Sequence, residues 1–177
     1  IRARSRHSCG TALPIYFRAL EAMVEQRSEE LRDTMGQIGE GCTITGCRIL
    51  REVRIGKGVT IDGVSILENG TLCDDCKIGV DVKAYDFIVA EGAHITNGVI
   101  LERCFIGESC TFDKGFTAAD SLFFANSHCE NGEAAAIFAG PYTVSHHKST
   151  LLIAGMFSFF NAGSAANQSN HLFKSGA

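Results

Sequence analysis

The chain has 177 residues, 45% of them apolar and 20% charged, with a formal net charge of −4. That length suits one domain with a sizeable core, and the acidic balance argues against nucleic acid or an anionic membrane surface as a partner. The longest apolar run, LLIAGMFSFF at 151–160, is well short of the roughly 20 residues a membrane-spanning helix needs.

Residues 1–36 read as a tail followed by a helix. The first ten residues lack the apolar segment of a secretory leader, so a cytoplasmic protein is expected. The chain opens on Ile1 and closes on KSGA, which suggests a piece of a longer protein. Residues 14–35, PIYFRALEAMVEQRSEELRDTM, fit one helix. Pro14 suits its first turn and Gly36 its end. Leu20, Met23, Val24, Leu31 and Met35 recur on one face. That face is expected to pack on, or cap, the domain that follows. Contact with a neighbouring subunit is the other reading.

From residue 37 to 177 the chain reads as one repeat domain. Cut into equal coils from Ile38, it stacks as IGEGCTITGCRILREVR, IGKGVTIDGVSILENGT, LCDDCKIGVDVKAYDFI, VAEGAHITNGVILERCF and IGESCTFDKGFTAADSL. The first column holds Ile38, Ile55, Leu72, Val89, Ile106 and Phe123, and the seventh Ile44, Ile61, Ile78, Ile95 and Phe112. The thirteenth holds Leu50, Leu67, Ala84, Leu101 and Ala118, and the fifth is small: Cys42, Val59, Cys76, Ala93 and Cys110. Three apolar anchors per coil, about six residues apart, imply three short flat faces, with a small residue at a tight corner. Coils stacked about 4.8 Å apart then pair backbone with backbone. Each buried anchor contributes on the order of 1.5–3 kcal/mol. The expected fold is all-β, a parallel β-helix with one N-terminal α-helix. Most of the eight Cys fall in these columns, which favours reduced, packed thiols over disulfides. Cys73 and Cys76 have C-x-x-C spacing, but no second pair stands at zinc-finger distance.

IGEGCT, IGKGVT and IGESCT resemble the repeats of the hexapeptide-repeat, left-handed parallel β-helix superfamily. The left hand is implied by the resemblance alone. The superfamily's usual period is about 18 residues, so one face here is a residue short. The run SLFFANSHCENGEAAAIFAGPYTVSHHKSTLLIAGMFSFFNAGSAANQSNH at 121–171 is similar to the signature of large Bacteroidetes-type hexapeptide-repeat proteins of unassigned function.

At 127–150 the pattern turns polar. Extended through this stretch, the same frame puts Cys129, His146 and Gly163 in column seven and Glu130, His147 and Ser164 beside it. Asn131 stands above Lys148 in the next column. A worn terminal coil is the plain explanation. Its flanks, AAAIFAG and LLIAGMFSFF, nevertheless stay apolar, and a carboxylate beside an imidazole is the pairing that orients a histidine base. The resemblance implies a trimeric acyltransferase that uses an acyl thioester such as acyl-CoA and a sugar or sugar-nucleotide acceptor. His147 would then be the base, with Glu130 its orienter and His146 the substitute. Asn131, Lys148, Asn167, Asn170 and His171 would bind the small-molecule substrate. The resemblance also permits a carbonic-anhydrase-like zinc trimer with ligands drawn from His128, His146, His147 and His171 of two subunits. A third reading is a non-catalytic oligomerisation or ligand-binding module of a larger sugar-nucleotide-related protein.

Overall fold

The computed structural model describes residues 12–31, 36–146 and 151–153. The chain divides after Met35 into two units. The first contains helix α1, Ala12–Leu31. It begins two residues before Pro14, and the expected last turn at 32–35 lies outside the described residues. Leu20, Met23 and Val24, which mark its apolar stripe, are solvent-exposed.

The second unit is a parallel β-helix. Among the described residues, one sheet contains seven short strands: Thr43–Thr45, Thr60–Asp62, Lys77–Ile78, His94–Ile95, Thr111–Asp113, His128–Glu130 and Val144–Ser145. A second sheet supplies the other two faces of each coil. Its strands Ile49–Ile55, Ile66–Leu72, Lys83–Val89 and Ile100–Ile106 bend at their fourth residue. Glu52, Asn69, Asp86 and Arg103 occupy that point with φ of 53°, 53°, 50° and 51°. Asp120 and Ala136 continue the corner, between separate strands. A left-handed residue reverses the chain direction in a single step, so one corner is as short as a corner can be. This explains why one face of the coil is a residue short.

From the second coil on, the apolar columns point inward as expected, whereas Ile38 and Leu50 of the first coil are exposed. Ile61, Ile95 and Phe112 are fully buried, as are Leu67, Leu101, Ile106 and Phe123. The small fifth column is also buried and ties the corners together. Cys76 donates its thiol to the Ala90 carbonyl at 3.1 Å, Ser127 its hydroxyl to Phe124 at 2.7 Å, and Thr143 its hydroxyl to Gly140 at 2.7 Å. All seven cysteines among the described residues are free thiols. Burial pushes Cys76 up to about 11, so it packs as a small hydrophobe and does not act as a nucleophile.

Two further inward rows appear. One runs Val53, Gly70, Phe87, Cys104, with the Phe87 ring lying over Gly70: a Cβ there would come 2.5 Å from ring carbons. The other contributes Val64, Val82, Val99 and Phe116. Phe116 meets Phe112 and Phe123 edge to face, with ring centroids 5.4 and 6.0 Å away, and Phe112 meets Phe123 at 4.9 Å.

The register is regular until the sixth coil. Ile78 pairs with Ile95, Ile95 with Phe112, and Phe112 with Cys129, each at the full repeat spacing. Cys129, however, pairs with Ser145, one residue short of that spacing. Asp113 still pairs with Glu130, but Thr117 already pairs with Glu133. The missing residue therefore lies in the corner, where Asn131-Gly132 stands in for Lys114-Gly115-Phe116. The next coil is longer: Ala134 pairs with Leu152, one residue beyond the repeat spacing. The expected frame is thus corrected: Ser145, not His146, continues column seven.

Phe112→Ala should lower stability by about 3–5 kcal/mol in chemical denaturation. Thr60→Ala, on the outward side of the same sheet, should stay within about 0.5 kcal/mol. Equal losses from both would contradict the inward assignment of the row.

Candidate functional site

The first sheet's outward face becomes chemically distinct over its last two described strands. Side chains alternate along a strand. Cys129 points inward and is fully buried, so its neighbours His128 and Glu130 point outward. One coil on, Ser145 takes the inward place below Cys129, and His146 follows on the outward side. The shortened step therefore brings His146 next to Glu130. A full-length step would have left His146 inside.

Glu130 is the centre of the cluster. Its Oε1 lies 2.9 Å from Nε2 of His128, and its Oε2 lies 3.8 Å from Nδ1 of His146. Lys114, from the corner one coil earlier, donates its ammonium to Oε2 at 2.5 Å. The two imidazoles lie against each other, with ring centroids 4.4 Å apart at 51°. Their side chains are 39% and 40% exposed, while the carboxylate between them is only 11% exposed. The one acidic group is thus covered by the three basic side chains that it holds together.

The electrostatics follow from these contacts. The Lys114 ammonium beside Glu130 holds its carboxyl below the usual carboxylate range. His128 acts in the same direction and partial burial against it. The same hydrogen bond raises the Lys114 ammonium above its ordinary value. An ionised Glu130 favours the His128 tautomer that donates from Nε2, which leaves Nδ1 as the proton acceptor.

Of the expected site residues, Glu130 and His146 meet as neighbours. Asn131 sits at the shortened corner with φ 53° and donates its amide to the His146 backbone carbonyl at 3.4 Å. It thus braces the strand that carries His146. His147, Lys148, Asn167, Asn170 and His171 lie outside the described residues. Lys114 and His128 join the cluster beyond the expected base and its orienter. Both were findable. Lys114 stands one repeat before Asn131, in the column that also contains Lys148, and His128 stands two before Glu130, on the same side of a strand. His94, at the strand position that holds Thr43, Thr60 and Thr111 in other coils, is exposed and pairs with Thr111.

Among the described residues, no helix is long and apolar enough to cross a membrane. The family described as a domain of unknown function, DUF4954, matches residues 10–177. The match spans nearly the whole chain, and the chain belongs to that family. No curated protein matches it.

Because the folded carboxyl titrates lower than the unfolded one, the stability it contributes is complete above the unfolded pKa. It is lost as pH falls through the folded pKa. The gap in thermal stability between the wild type and Glu130→Gln should therefore shrink from about pH 6 to about pH 3. A gap that holds constant or widens on acidification would contradict an ionised, hydrogen-bonded Glu130.

Proposed function

We propose that this DUF4954 chain is a hexapeptide-repeat transferase that moves an acyl group from a thioester donor, such as acyl-CoA, to a hydroxyl of a sugar or sugar-nucleotide acceptor. The observation that carries the reading is the 2.9 Å contact between the shielded Glu130 carboxylate and Nε2 of the half-exposed His128. An imidazole held by a carboxylate on one nitrogen is a general base on the other. His128 takes that role here, because it stands two residues before Glu130 on the same outward side of one strand and meets its carboxylate directly. In the step itself, the imidazole takes the hydroxyl proton as the oxygen attacks the thioester carbonyl. The C–S bond then breaks, and the departing thiolate recovers the proton from the imidazolium.

The repeat supports the assignment through its resemblance to hexapeptide-repeat acyltransferases, which also suggests a homotrimer. Lys114 and the second imidazole, His146, add cationic or hydrogen-bonding groups beside the base, suited to a polar acceptor. The unpaired thiols fit a reducing, cytoplasmic setting.

The test is thiol release from acyl-CoA, followed by chromatography, against a panel of sugars and nucleotide sugars. His128→Ala should reduce kcat by about 10²–10⁴-fold and leave the far-ultraviolet circular dichroism unchanged. A rate unaffected by His128→Ala would remove the proposed base. Acceptor binding without turnover by the wild type would assign the chain to the non-catalytic modules instead.

A further inference from the structure

We infer that His128, Glu130 and His146 of a single chain form a binding site for a divalent transition-metal ion of the zinc type. The inference does not depend on acyl transfer. It differs from a zinc site shared between subunits, since all three donors come from adjacent coils of one chain and one of them is a carboxylate.

The geometry is the first argument. One donor atom from each residue can be chosen so that all three lie within 4.8 Å of one another. Ligands about 2.1 Å from a tetrahedral ion stand roughly 3.4 Å apart. The carboxylate reaches each imidazole through a different oxygen, Oε1 to His128 at 2.9 Å and Oε2 to His146 at 3.8 Å, so the set with one atom per residue is somewhat wider than that value. Small side-chain rotations would close the set without moving the ladder.

Charge is the second argument. The cluster already contains a cation, because the Lys114 ammonium sits on Oε2 of Glu130. Lys114 is half-exposed on a long flexible stem, so it can swing out toward water while a dication takes its place. The neighbouring Asp113 carboxylate, which accepts hydrogen bonds from Asn97 and from the Lys114 backbone amide, keeps the surroundings acidic.

The donor set is the third argument. Two imidazoles and one carboxylate suit zinc, cobalt or iron, whereas magnesium and calcium prefer all-oxygen sites. Three protein ligands on an outward face leave a position open for water or a small anion. Both the ion and Glu130 claim Nε2 of His128, so a bound ion and the base described above are alternative states of one imidazole.

Titration of the metal-free full chain with Zn²⁺ by calorimetry, and with Co²⁺ by visible absorption, tests the site. One ion per chain is expected, with a cobalt spectrum of nitrogen and oxygen ligation, and Mg²⁺ should not compete. His128→Ala and His146→Ala should each weaken binding by about 100-fold or more, at or beyond the upper end of what loss of an outer-shell partner costs. Lys114→Met, which removes the competing ammonium, should tighten binding by roughly fivefold, the equivalent of one exposed ion pair. That gain cannot come from a misfolded variant. Thiolate-to-cobalt charge-transfer bands would overturn the assignment, because they would place the ion on cysteines. Affinity unchanged by either histidine substitution, or no binding of Zn²⁺ or Co²⁺ at all, would overturn it as well. Each of these results is independent of whether the chain turns over a thioester.

Discussion

Backbone pairing between successive coils is the constraint on which everything else rests. His94 donates its amide to the Cys110 carbonyl at 2.8 Å, Thr111 to Ser127 at 2.8 Å, and His128 to Thr143 at 2.8 Å. Each coil borrows its hydrogen-bond partners from the coils above and below, so no single coil is a stable unit. Pairing of this kind fixes side chains as firmly as it fixes backbone. Whatever stands on the outward side of one strand must lie beside the outward residue of the next. The outward ladders show the rule at work: Thr45 donates to Asp62 at 2.7 Å, Asn69 to Asp86 at 2.5 Å, and Arg103 grips Asp120 through two bonds.

The candidate site is the same rule with one residue removed. The loss of a residue at the Asn131-Gly132 corner leaves the inward row intact by exchanging a histidine for Ser145, and it places His146 outside, against Glu130. Shifting a strand by one residue exchanges its two faces. A single deletion thereby converts an anchor position into a site position, and a carboxylate that already meets Lys114 and His128 gains a second imidazole. The interior adapts in the coil just before. The Phe112, Phe116 and Phe123 rings fill the section where the corner is still three residues long, and Phe116 has no counterpart in the shortened corner that follows.

Four columns were legible in the sequence because each keeps one kind of side chain across many coils. The other two inward rows were not. Val53, Gly70, Phe87 and Cys104 differ too much in size to look like a column, yet they pack because the large Phe87 fills the space that Gly70 leaves. The short corner was visible as a missing residue but not as a conformation. Glu52, Asn69, Asp86, Arg103 and Asp120 hold the left-handed region without a glycine among them, and side-chain bonds that only the stacked coils provide join Asn69 to Asp86 and Arg103 to Asp120. Glu130 and His146 could be picked out by residue type. That His146 itself meets Glu130 could not, because the frame slips at a corner where Gly132 preserves the look of a turn while the spacing changes.

The slip in register is therefore the point at which the account is most exposed. Paired strands lie about 4.8 Å apart, within reach of a disulfide between directly opposed residues. Leu122 is opposed by Phe138 in the shortened register, whereas an unbroken frame would oppose it with Ala139. The decisive measurement is oxidative cross-linking of Leu122→Cys/Phe138→Cys beside Leu122→Cys/Ala139→Cys, with the linked peptides identified by mass spectrometry. The account predicts ready closure of the first pair and little of the second. Preferential closure of the second would restore the unbroken frame and separate His146 from Glu130.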